Sequence, residues 1–195
     1  MSTGDSQDVF IRAFIALDVG EAVRGQLAAV QASLKKTHAH VSWVPPDNIH
    51  LSLVFLGNIT QDLVGLVQAA LDQAAAGTRP FPFRVVNLGT FGGRQSPRVI
   101  WAGTSDNQPI KDLHGLLVPL LKEIGLTPET REFTPHITLG RVRSGRGRDD
   151  LVQALEAAGP RDFGPVDARE VRLMRSVLWE DGARYSVLHR APFSG

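Results

Sequence analysis

The strongest constraint on this chain is a motif it carries twice. His50-Leu51-Ser52-Leu53 and His136-Ile137-Thr138-Leu139 share one form: histidine, aliphatic residue, hydroxyl residue, leucine. The two copies stand nearly half the chain apart, and each follows a proline-containing stretch, Pro45-Pro46 or Pro135. Both sit in apolar runs that read as strands. Alternate side chains of a strand point to the same face. His50 and Ser52 therefore project together, with Leu51 and Leu53 behind them, and His136 and Thr138 do the same. One H-x-S/T segment arises often by chance; two, on strands in corresponding halves, are far more specific. If two sheets face one cleft, that cleft receives two imidazoles and two hydroxyls.

The rest of the chain supplies those sheets. Residues 10–17 (FIRAFIAL) read as a strand, and 20–34 as a helix with Val23, Leu27, Val30 and Leu34 on one face. Residues 41–44 form a short strand, 45–48 a turn, and 49–56 a strand closed by Gly57-Asn58. Leu63, Leu66, Val67, Ala70 and Leu71 stripe the next helix, with Thr60 as its N-cap. Strands at 81–88 and 98–102 flank a glycine-rich segment at 89–93. A third helix turns Ile110, Leu113, Leu117, Leu120 and Ile124 inward and carries Pro119, which predicts a kink or a split. Residues 133–142 form the strand of the second motif, 150–158 a helix, and 166–175 and 184–189 the closing strands. The order β-α-β-β-α-β-β-α-β-α-β-β is an α+β pattern. No glycine-rich phosphate loop opens a helix, which argues against a dinucleotide or P-loop fold. No linker divides the chain, so residues 1–195 read as one domain, with one motif in each of two similar halves.

Composition narrows the chemistry. A hydrophobic share of 43% and a charged share of 21% suit a soluble globular protein. With no cysteine, disulfides, thiolate zinc sites and a thiol nucleophile are excluded. No apolar run is long enough to span a bilayer, and residues 1–8 lack the pattern of a secretory signal, so the expected location is the cytoplasm. The net charge is only +1, but four of the 21 basic residues are lysines (Lys35, Lys36, Lys111, Lys122) and the rest are arginines. Arg141, Arg143, Arg146 and Arg148 cluster just after the second motif. Arginine's planar fork of donors matches phosphate oxygens, although a solvated loop explains such a cluster equally well.

Two histidines facing one cleft can divide the labour of acid–base catalysis. A neutral imidazole takes a proton from the attacking group while an imidazolium gives one to the leaving oxygen. Histidine's pKa lets both states exist near neutrality. The two hydroxyls can donate to non-bridging phosphate oxygens as charge builds there. The scheme requires no metal, no cofactor and no covalent intermediate. No H-E-x-x-H motif or acidic cluster accompanies the histidines.

Longer segments extend the pattern. Arg12-Ala13-Phe14-Ile15-Ala16-Leu17, Asn48 to Leu53 running into Phe55-Leu56-Gly57, Arg98 to Gly103, Leu113-His114, and Phe133 to Arg141 all resemble the two-histidine phosphoesterase superfamily. Within it, the similarity is to RNA 2′,3′-cyclic phosphodiesterases of the LigT or ThpR type, once called 2′-5′ RNA ligases. Ser52 is a departure, since the family usually has threonine there; the hydroxyl is kept. The resemblance implies a bilobal fold with pseudo-twofold symmetry, each lobe an antiparallel sheet backed by helices. It also implies hydrolysis of terminal RNA 2′,3′-cyclic phosphates to 2′-phosphates, and a reversible 2′-5′ joining activity toward tRNA fragments. A monomer is expected. The alternatives within reach are a related enzyme acting on another cyclic nucleotide or a 2′-5′ oligonucleotide, and a non-catalytic module that binds RNA ends.

Each residue then has an expected role. One of His50 and His136 activates water and the other protonates the departing 3′ oxygen. His136 is taken as proton acceptor and His50 as proton donor, although spacing alone does not order them. Ser52 and Thr138 should hold the phosphate. Arg131, Arg141 and Trp43 are candidates for contact with RNA. Strict alternation points Arg141 away from His136, so it reaches the cleft only if a bulge near Gly140 turns it. Phe55 and Phe91 lie near cleft-forming segments, where an aromatic can stack on a base, but Phe55 reads more readily as core. Trp101 reads as core or lobe interface, and His114 as a structural histidine.

Overall fold

A computed structural model describes residues 10–93, 96–129, 132–179 and 182–195. Nine strands and four helices are formed along them. They are β1 (Phe10–Leu17), α1 (Gly20–Lys35), β2 (Val41–Trp43), a 3-10 turn at Pro46–Asn48, β3 (Leu51–Thr60), α2 (Gln61–Ala76), β4 (Phe81–Phe91) and β5 (Val99–Ser105). After these come α3 (Gln108–Glu123), β6 (His136–Val142), α4 (Arg148–Ala158), β7 (Asp162–Ala168), β8 (Glu170–Trp179) and β9 (Gly182–Pro192). The strands form two antiparallel sheets, of order β3-β1-β8-β9 and β2-β6-β5-β4-β7. The class is α+β, and each sheet carries one histidine motif.

The helices cover the sheets by the stripes their sequences display. On α1 the buried residues include Val23, Leu27, Val30 and Leu34, and this helix packs on β7. On α2, Val67 and Leu71 are fully buried, and the helix lies against β3, β8 and β9. Val85, Ile100 and Ile137 from one sheet and Ile15, Leu51 and Leu173 from the other join a single apolar cluster. Close packing of that cluster is what holds the two motif strands in fixed relation.

Four boundaries differ from the sequence-based expectation, each for a physical reason. Residues 166–175 are not one strand: β7 and β8 belong to different sheets, and the chain crosses between them at Arg169. The Arg169 carbonyl at the crossing accepts the Phe193 N–H at 2.8 Å. Gly57 does not close β3. Its φ of 70° sits at a register shift opposite Ala13 and Phe14, so it makes a bulge through which the strand continues. Part of the glycine-rich segment, Gly89 to Phe91, is strand. Pro119 does not split α3; it lies on the exposed side, where the carbonyl it frees faces water. Thr60 does occupy the N-cap position of α2, but without a side-chain capping bond.

Candidate active site

The two motifs meet where β3, the edge of the four-stranded sheet, touches β6 of the other. Their local geometry is the same. The Nδ1–H of His50 donates to the carbonyl of Asn48, two residues back, at 2.6 Å. That of His136 donates to the carbonyl of Thr134, again two residues back, at 2.7 Å. A carbonyl only accepts, so in each ring Nδ1 carries hydrogen and Nε2 is the nitrogen left for chemistry. The Nε2 of His50 lies 2.8 Å from the Ser52 hydroxyl. When the ring is neutral, that hydroxyl donates to it.

A second shared feature was invisible to simple alternation. Opposite β1, Ile15 pairs with Val54 and Ala16 with Ser52, so Leu53 is an extra residue. Opposite β5, Ile100 pairs with Gly140 and Trp101 with Thr138, so Leu139 is an extra residue. Each motif thus ends in a bulge at its fourth position, and a bulge inverts the parity of the residues after it. Phe55 and Arg141, each five residues after its histidine, are turned onto the wall of the cavity instead of the core. Phe55 is 59% exposed, which corrects the expectation that it is a core aromatic.

The bulge in β6 is held from behind. Gln31 of α1, 1% exposed, donates through its amide to the carbonyls of both Val44 and Leu139, each at 2.8 Å. The Leu139 carbonyl also accepts the Val44 N–H. Replacing Gln31 by Met should therefore cost about 1–3 kcal/mol in urea unfolding. It should also loosen the placement of Arg141 on the cavity wall, because the bulge that aims it loses its brace. An unchanged unfolding midpoint would count against this role.

The cavity between the motif strands holds about 440 Å³. Ser52 and Phe55 face it from β3, and His136, Thr138 and Arg141 face it from β6. Phe91 meets His136 edge-on at 4.9 Å, and Trp101 approaches the same imidazole at 6.5 Å, also edge to face. The Trp101 ring approaches so closely that a Cβ at Gly89 would meet it at 2.3 Å. His114 stacks on Phe133 at 4.2 Å, and both line the cavity with Glu129 and Glu132. Burial holds the His114 pKa below the ordinary value, which favours its neutral form.

His50 stands in a drier setting. It stacks on Phe14 at 4.7 Å and meets Tyr185 edge-on at 5.4 Å. Burial lowers its pKa; the Asn48 carbonyl and the negative charge of Asp18 oppose the shift. On its far side a smaller cavity, about 190 Å³, is lined by Asp18, Arg24, Arg172 and Tyr185. There Asp18 is held by Arg24 at 2.5 Å and by Arg172 at 3.4 Å. Burial raises the Tyr185 pKa, against the opposing charges of Arg141 and Arg12. Tyr185 is thus within electrostatic reach of both arginines while touching His50.

The remaining candidates fall elsewhere. Trp43 pairs with Gly140 across β2 and β6, and its ring lies over that glycine, where a Cβ would strike it at 2.9 Å. It is partly buried against the core and does not line the larger cavity. Arg131 lies outside the described residues. Gln31, Asp18, Phe14 and Tyr185 were missed by sequence reasoning, because their roles come from contacts far apart along the chain.

Comparison with known proteins places this geometry in context. The model of a family described as LigT like Phosphoesterase matches residues 17–101 and 104–185. The RNA 2′,3′-cyclic phosphodiesterase of Methanothermobacter thermautotrophicus is 31% identical over 176 residues, covering 90% of this chain and 95% of that protein. The RNA 2′,3′-cyclic phosphodiesterase of Thermotoga maritima is 31% identical over 188 residues, covering 95% and 97%. The crystal structure of a Thermus thermophilus protein matches with a TM-score of 0.80 at 26% identity, covering 95% of this chain and 99% of that one.

Proposed function

We propose that this chain, which belongs to the LigT-like phosphoesterase family, opens the 2′,3′-cyclic phosphate at an RNA end by acid–base catalysis between His50 and His136. One observation carries the reading: both histidines donate through Nδ1 to the carbonyl two residues back, which leaves each Nε2 for chemistry, with His136 on the larger cavity and the Nε2 of His50 against Ser52, which lines that same cavity. Water attacks phosphorus as His136 takes its proton. The P–O3′ bond breaks, and His50 protonates O3′. The product is a 2′-phosphomonoester with a free 3′-hydroxyl. Thr138, Ser52 and Arg141 hold the non-bridging oxygens. A 5′-hydroxyl in place of water would give a 2′-5′ phosphodiester by the same steps, which supports reversible joining of RNA fragments as a second outcome. The two motif strands act as halves of one domain, and no described helix is long and apolar enough to cross a membrane.

The ordering of the histidines rests on their surroundings. His136 lines the larger cavity, which has room for the attacking water. His50 lies among Phe14 and Tyr185 and lines the smaller cavity. Burial favours the neutral form of His50 in the free protein, whereas the acid must be protonated. The anionic cyclic phosphate supplies the missing charge, since an adjacent negative charge favours imidazolium. NMR titration should therefore find the His50 pKa below that of a free histidine, and raised once a 2′-phosphate nucleotide binds. A pKa that stays low in the complex would reverse the two roles.

The test of the reading itself is product analysis on a short RNA ending in a 2′,3′-cyclic phosphate, in excess chelator. Turnover to the 2′-phosphate is expected to persist. Release of a 3′-phosphate would point to a different orientation of attack. Binding without turnover would leave only an RNA-end binding module.

A further inference from the structure

The sheet face that carries the histidine cluster continues beyond the cavity. Along β1, Ile11, Ala13 and Ile15 turn into the core, which sends Phe10, Arg12 and Phe14 to the opposite face. Phe14 stacks on His50; Arg12 and Phe10 continue its row outward, both exposed, Phe10 at 60%. Phe55 stands beside the row, 6.2 Å from Phe14 between ring centres. The other face of this sheet is already covered by α2. Arg12 makes no ion pair among the described residues, and its charge reaches Tyr185. Among the described residues the row thus offers exposed aromatic rings and a cation without an ion pair, continuous with the cavity wall.

We infer that the RNA strand leading into the cyclic phosphate lies along this row, with bases stacked on Phe55 and Phe10 and a backbone phosphate held by Arg12. Aromatic side chains on an open sheet, spaced by a cation, form a platform that single-stranded RNA fits, because every base has a face to stack and every linkage a negative charge. The larger cavity, with its own arginine, then takes only the terminal nucleotide. The inference rests on the cyclic-phosphate reading and extends it: the substrate is a single-stranded RNA several nucleotides long, rather than a cyclic mononucleotide.

Steady-state kinetics on two substrates test this, using 2′,3′-cyclic AMP and a short single-stranded RNA with the same terminus. The wild type should show the higher kcat/KM on the RNA. Phe10→Ala should lose about tenfold on the RNA, mostly through KM, and turn over the mononucleotide as the wild type does. Arg12→Gln should flatten the salt dependence measured on the RNA by roughly one counterion. Equal wild-type kcat/KM on both substrates would overturn the inference, as would a loss in Phe10→Ala shared by both, or an unchanged salt slope in Arg12→Gln. A wild type inert on both would instead overturn the cyclic-phosphate reading and this one with it.

Discussion

Alanine at either His50 or His136 is expected to slow opening of a 2′,3′-cyclic phosphate by about 10²–10⁴-fold, the usual worth of one positioned acid or base. That is roughly 3–5.5 kcal/mol of barrier. The two losses should not multiply. Once the base is gone, an acid with nothing to follow contributes little, so the double variant should sit close to the poorer single one. The structure also predicts a difference in side effects. His136→Ala empties a site beside Phe91 and Trp101 at the cavity wall, so folding should be little affected. His50→Ala removes a ring packed between Phe14 and Tyr185 and strips the Asn48 carbonyl of its donor. Some loss of stability should accompany it, and His50→Gln separates the two effects by keeping bulk while lacking a titrating ring. Turnover near wild type in either alanine variant, with thermal melting intact, would end the two-histidine reading.

Whether a feature was legible in the sequence depends on whether its contacts are local. Strand alternation is a property of neighbouring residues, so the pairing of His50 with Ser52 and of His136 with Thr138 on one face could be read directly. Helix stripes are equally local, and α1 buries the face its spacing marks. The bulges at Leu53 and Leu139 are not local. They arise from register against β1 and β5, and no residue in either motif announces them. That is why Phe55 read as core, and why Arg141 reached the cavity only on a conditional argument. Gln31 is a single polar residue within a helical stretch, and its meaning comes from two carbonyls, one of them on β6. The separation of β7 from β8 did leave a local sign: the apolar alternation of Val166 and Ala168 changes parity at Arg169-Glu170 to that of Val171 and Leu173, where the chain passes from one sheet to the other.

Thr138→Val should be the next most damaging change, lowering kcat by about 10²–10³, the typical cost of one donor aimed at a developing oxyanion. Valine keeps the shape and the strand preference of threonine, so the partner Trp101 across β5 keeps its neighbour and stability should change little. Only the hydroxyl is lost. The corresponding change at the first motif, Ser52→Ala, should be milder. The Ser52 hydroxyl is already engaged with Nε2 of His50 at 2.8 Å, a bond that favours the neutral ring, so its removal frees the proposed acid to take up its proton even as a phosphate donor disappears. The Thr138 hydroxyl makes no hydrogen bond among the described residues (its place is on the cavity wall), so nothing offsets its loss. The contrast is measurable as kcat with KM held separate. Activity of Thr138→Val within about threefold of wild type would remove this hydroxyl from the chemistry, and a Ser52→Ala loss exceeding that of Thr138→Val would show that the first motif, not the second, carries the phosphate's negative charge.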